Sequence, residues 1–174
     1  MKQFCMEGSE GCSQDGIRFI PVSLDRTGLQ LELPEGFYRM EEDRQHRYYP
    51  WKGRPDTILE NGGGVQITAQ SFKQKIEPAQ TRPAVEEMRR LTKEMFPRYK
   101  VSPVYLCREG NIPAGWFQME MADMGTEHIK ALGAAKEWMV LLTFTYPVRE
   151  SIKWRSIIRY SFKTLKEGGD GTDG

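Results

Sequence analysis

Residues 138–146, WMVLLTFTY, form the most apolar run in the chain, and a twenty-residue stretch, VRESIKWRSIIRYSFKTLKE, follows after Pro147. In the run, apolar side chains fall at both parities. A strand of that kind needs cover on both faces and belongs in the middle of a sheet. In the following stretch, steps of 100° put Trp154, Ile157, Ile158, Ser161, Phe162 and Leu165 on one side, with Arg155, Arg159, Lys163 and Lys166 opposite. This is an amphipathic helix with an inward tryptophan. A buried strand leading directly into a helix that must cover it restricts the chain to folds in which helices pack on a sheet.

The preceding sequence supplies the rest of such a sheet. Ile17–Val22 and Leu29–Leu33 read as short strands, the second alternating three leucines with Gln30 and Glu32. Asp56–Glu60 and Val65–Phe72 flank Asn61–Gly64 (NGGG), a sequence suited to the positive φ angles of a hairpin loop. The glycines lack the Lys-Ser/Thr of a phosphate loop and lead into no helix, so they are hairpin chemistry. Thr81–Phe96 carries Pro83 in its first turn and Val85, Met88, Thr92, Met95 and Phe96 on one stripe, the pattern of a helix stopped by Pro97. Three or four further strands follow, the last of them the run that opens at residue 138. The reading is an α+β domain: a mostly antiparallel sheet of six or seven strands with two main helices packed on it.

The ends differ from the middle. Residues 1–16 and 168–174 are polar and Gly-rich and read as flexible tails, leaving one domain over residues 17–167. Net charge is +1, from 25 basic and 24 acidic residues, which argues against a nucleic-acid footprint. No apolar run approaches the ~18 residues of a membrane helix. Cys5, Cys12 and Cys107 are read as reduced thiols. A cytoplasmic protein without membrane insertion is expected.

The order of elements resembles the PsbP-like fold, an α/β/α sandwich shared by Ran-binding Mog proteins and small bacterial proteins of unknown function. The residues that carry the likeness are the strand ending TFTYP, the short turn, and ESIKWRSIIRYSFKTLK with its inward tryptophan. It covers Ile17–Lys166 in element order. The resemblance implies an adaptor, an assembly factor or a secretion-associated chaperone. It implies no enzyme, and no cofactor or metal is expected.

The residues themselves point the same way. His46 and His128, the two histidines, are expected at the surface, with no ligand spacing around them. Glu41–Asp43 reads as a charged turn, Cys107 as a strand cysteine, and Met119, Met121 and Met124 as core packing first, with an adaptable apolar face usable by a partner as the functional reading. A hydrolase would have to assemble its site from scattered groups such as His46, Asp56, Cys107 and His128. The segment RYYPWKGRPD, residues 47–56, is the concentration of binding chemistry. Arg47, Tyr48, Tyr49, Trp51 and Arg54 are of the types enriched at interface hot spots. Pro50 and Pro55 keep the segment out of a central strand. It is expected to be a loop pinned to the sheet, and its best functional reading is a protein-binding edge.

Overall fold

A computed structural model of the chain describes residues 13–14, 16–24, 28–135 and 138–168. An eight-stranded antiparallel sheet dominates them. Its strands are β4 (Tyr38–Arg39), β5 (Thr57–Glu60), β6 (Gln66–Phe72), β7 (Lys100–Val101), β8 (Tyr105–Cys107), β9 (Ala114–Met121), β10 (Thr126–Ala135) and β11 (Trp138–Pro147). The spatial order is β4-β5-β6-β11-β10-β9-β7, with β8 also paired to β9. β11 is central, as its composition demands.

A second antiparallel sheet has the order β1-β2-β3-β12, from Ser13–Gln14, Ile17–Leu24, Leu29–Pro34 and Lys166–Glu167. The α+β reading with a large antiparallel sheet holds, and the structure adds this second sheet to it. β2 and β3 do not extend the main sheet; their leucines face it across a shared core. Pairing also begins before residue 17, because Ser13 and Gln14 bond to β2 inside the segment read as a tail. Cys5 and Cys12 lie outside the described residues.

The three helices are α1 (Glu42–Tyr48), α2 (Thr81–Met95) and α3 (Ser151–Lys163). α3 buries Trp154, Ile157, Ile158, Ser161 and Phe162, the stripe expected from sequence. These apolar side chains meet Val140, Leu142, Phe144 and Tyr146 of β11, Ile67 and Ala69 of β6, and Leu31 and Leu33 of β3 in one cluster. The Phe162 ring lies 4.8 Å from Trp116 and 5.7 Å edge-on from Phe144. This face of the main sheet is the inner face. At its end the carboxylate of Glu127, 1% exposed, accepts from the Tyr146 hydroxyl and from Arg155 Nε at 2.7 Å. The site is desolvated enough to raise the Tyr146 phenol well above its ordinary range, with the Glu127 carboxylate adding to the effect. Arg155 therefore anchors α3 and is not part of a purely solvated basic face.

α2 covers part of the opposite, outer face. Val85 clusters with Val104, Phe117 and Leu132, and Met139 and Leu141 pack at its margin. Gly115 permits the close approach: a Cβ there would lie 2.8 Å from Val85 Cγ2. The expected buried stripe ends early. Thr92 is buried, but Met95 is 66% exposed, and Phe96 and Leu91 are exposed as well. The last turn of α2 projects past its contacts with the sheet.

α1 replaces the expected charged turn, and it takes in Arg47 and Tyr48 from the segment read as a loop. Glu42 and Asp43 occupy its first turn, His46 and Arg47 its last, in the order the helix dipole favours. It buries no residue. It is held instead by Gln45 Nε2 donating to the Met40 carbonyl at 2.7 Å and by an Arg44–Glu60 ion pair at 2.8 Å.

Candidate functional site

The outer face beyond α2 has a wall and a floor. The wall is α1 with the loop that follows it. Tyr49 is its pinned residue. Its hydroxyl donates to Gln66 Oε1 of β6 at 3.3 Å, and burial, with Glu60 nearby, pushes its pKa up. Farther along β6, Gln70 Nε2 lies 3.5 Å from the Gly53 carbonyl. The loop thus runs along β6 from Gln66 to Gln70. Tyr48 and Trp51 do not share this burial; each is 53% exposed. Trp51 stacks edge-on against Tyr49 at 5.5 Å, and the Arg44 guanidinium lies 5.4 Å from the centre of the Tyr48 ring. Arg47 is exposed, and Arg54 donates to His46 Nε2 at 3.1 Å. The segment is therefore anchored by one ring while two others stand half in solvent, Tyr48 beside the Arg44 guanidinium and Trp51 against Tyr49.

The floor follows from strand register. Thr68, Thr143 and Lys130 are successive partners across β6, β11 and β10, and so are Gln66, Thr145 and His128. Alternation puts all six on the outer face, since their neighbours Ile67, Phe144 and Ile129 belong to the inner core. All six are partly buried. Burial, then the neighbouring Lys130, lowers the His128 pKa to about 4, and the Thr126 and Thr145 hydroxyls lie 3.4 Å from its ring nitrogens. Burial also lowers the pKa of Lys130. No hydrogen bond or ion pair joins the Lys130 ammonium to any other described residue. Neighbouring strands are about 4.8 Å apart, so the strip from β6 to β10 is about 10 Å wide.

The other sequence candidates disperse. Cys107 is a buried free thiol of the inner core, on the opposite side of the sheet from His128. His46 sits on α1, where its Nδ1 meets the Glu42 carbonyl at 2.8 Å. Asp56 accepts from the Ser71 amide and hydroxyl at 2.9 and 2.7 Å. These four do not converge. The expectation that His128 is a surface residue is corrected, because the sheet face and its neighbours half-enclose it. Met119 is buried, Met121 partly buried and Met124 exposed, so the three share no single face. Among the described residues, no group of three or more His, Cys, Asp and Glu is placed to hold a metal ion. Among the described residues, no helix is long and apolar enough to cross a membrane.

Lys130, Thr68 and Thr143 were missed as site residues. Their signal was strand alternation: Ile67, Phe144 and Ile129 inward, Thr68, Thr143 and Lys130 outward. It could have been read, but only with the knowledge that α2 leaves this strip open.

No protein-family model matches the chain, and no curated protein sequence is similar to it. Solved structures are. The cyanobacterial PsbP (CyanoP) of Synechocystis sp. PCC 6803 superposes with a TM-score of 0.61 at 6% identity, over 90% of this chain and 97% of its own. The Ran-binding protein Mog1p of Saccharomyces cerevisiae gives 0.56 at 10% identity, over 87% and 96%. The fold is that of PsbP and Mog1. At such identities the likeness concerns architecture alone. It bears out the fold resemblance read from the strand-turn-helix ending.

Proposed function

We propose that this protein is a non-enzymatic interaction module that docks another protein through Arg47, Tyr48, Tyr49, Trp51 and Arg54. One observation carries the reading: Tyr48 and Trp51 stand half in solvent on a wall that Tyr49 holds in place. Large aromatic rings held rigidly beside arginines lose little entropy on binding and are the side chains that dominate interface energetics. The yeast structure of this fold is a Ran-binding protein, which supports protein recognition as a use of the architecture. An adaptor, a secretion-associated chaperone or an immunity-like protein of the bacterial cytoplasm fits this chemistry. A hydrolase does not gain support, since His46, Asp56, Cys107 and His128 lie in separate places.

Photo-crosslinking tests the reading. A benzophenone side chain at Trp51, in the cell of origin, is expected to give a discrete protein adduct. The same group at Met124, which is exposed and lies outside the aromatic segment, is expected to give none. Equal labelling from both positions, or none from position 51, would count against the proposal.

A further inference from the structure

We infer that the outer-face strip between the aromatic wall and α2 seats an extended, acidic segment of a protein partner, one of whose carboxylates pairs with Lys130. This deepens the proposed function and rests on it.

Three observations carry the inference. The first is an unmatched cation. Lys130 lies partly buried at the α2-side edge of the strip with Phe117 and Thr143 as its cross-strand neighbours, and no described carboxylate pairs with it. A desolvated ammonium without a counter-ion destabilises the fold that holds it, and an arriving carboxylate removes that penalty. The acids nearest the strip are already engaged, Glu60 of β5 with Arg44 and Asp56 with Ser71, while Glu42 and Asp43 are exposed in the first turn of α1. On the wall the exposed Arg47 and Lys52 add positive charge. Charge complementarity thus selects an acidic partner.

The second observation is width. A strip of two strand spacings, about 10 Å, admits one extended chain. A helix with its side chains is about 10–12 Å across and would strike the wall or α2.

The third is the lining. Thr68, Thr143 and Thr145 present hydroxyls across the floor, and these can both donate to and accept from an extended main chain. Such a floor suits a peptide backbone better than an apolar helix. Tyr48 and Trp51 supply the apolar contact at its border. The segment recognised is therefore an acidic residue close to an apolar one, in extended conformation.

Fluorescence anisotropy on the full chain tests this, with a short fluorescein-labelled peptide alternating Glu and Leu, and its Gln-Leu counterpart, as probes. The Glu peptide is expected to bind at least about tenfold more tightly. Lys130→Met, which keeps the stem and removes the charge, is expected to lower its affinity about tenfold, while Lys130→Arg stays within about threefold of wild type. The melting temperature of Lys130→Met should be equal to or above that of wild type, which separates lost binding from lost folding. Equal binding of the two peptides, indifference to Lys130→Met, or no binding at millimolar peptide each overturns the inference. Competition by free glutamate at the peptide's own concentration also overturns it, because a small-molecule site would then be indicated. If Lys130→Met has no effect but Tyr48→Ala/Trp51→Ala weakens the peptide, the aromatic docking surface stands and the Lys130 seat falls. The reverse pattern separates them the other way.

Discussion

The same strands make both faces of the main sheet, yet the two faces are closed differently. Inward, Val140, Leu142, Phe144 and Tyr146 of β11 are buried under α3 and the smaller sheet. Outward, the alternate positions of the same strand are Met139 and Leu141 beside α2, then Thr143 and Thr145 on an open strip. The strand thus changes character along its outer side only. A face whose apolar residues stop where its cover stops is built to remain uncovered in the monomer. A continuation of Leu141 by further apolar residues would have left an aggregation-prone patch. The inner face holds the fold together, and the outer strip is available for recognition.

Substitutions break or sharpen this contrast. The largest effect belongs to the inner face. Phe162→Ala removes a ring packed against Trp116 and Phe144 and is expected to destabilise by about 3–5 kcal/mol in denaturant unfolding. A loss below about 1 kcal/mol would mean that α3 is not the lid of the core. Arg155→Met comes next. It strips the guanidinium from the buried Glu127 and should destabilise by about 3 kcal/mol, the lower end for a broken buried pair, because the Arg155 head is partly solvated. Recovery of that stability on adding Glu127→Gln would locate the penalty in the orphaned carboxylate.

The outer strip gives smaller effects, with a pH signature. His128 is held neutral, its pKa lowered to about 4 from 6.5. The unfolded chain takes up a proton below pH 6.5 that the folded chain refuses until about pH 4. Stability from this group is complete above the upper value and lost as pH falls toward the lower. The loss should be about 2 kcal/mol once residual solvation is allowed for. Lys130 and Glu127 also act on His128, so the comparison is with His128→Gln, in which this component of the acid sensitivity should vanish. An unchanged pH profile in that variant would place His128 in solvent. The smallest effect is Thr143→Val, which should alter stability by no more than about 0.5 kcal/mol, against the severalfold larger cost of Phe144→Ala one residue along.

The sequence was most informative where a local pattern and a tertiary role coincide. The α3 stripe, the NGGG hairpin and the central place of β11 all follow from periodicity and turn chemistry. In the hairpin, Asn61 Oδ1 accepts from the Gly63 and Val65 amides at 3.0 Å, and Gly64 has φ +80°. What escaped depends on contacts distant in sequence. β2 and β3 were legible as strands, but their separation into a second sheet with β12 is not a local property. α1 is polar all round, so it has no apolar period; only its charge order, acidic first turn and basic last, signals a helix. Arg155 looked like solvated helix surface because Glu127 lies on another element. The aromatic segment was legible by composition, and its division into a pinned Tyr49 and exposed Tyr48 and Trp51 was not. That division follows from where Gln66 stands on β6.

The most direct test of the contrast is a pair of measurements on one double variant, Tyr48→Ala/Trp51→Ala. Thermal denaturation and retention of the partner identified by crosslinking are read on the same preparation. The account predicts a melting temperature within about 2 °C of wild type, since the rings are already half in solvent, together with loss of partner retention. A melting temperature lowered by many degrees, with retention by the remaining folded protein unchanged, would show that these rings serve the fold and would contradict the account.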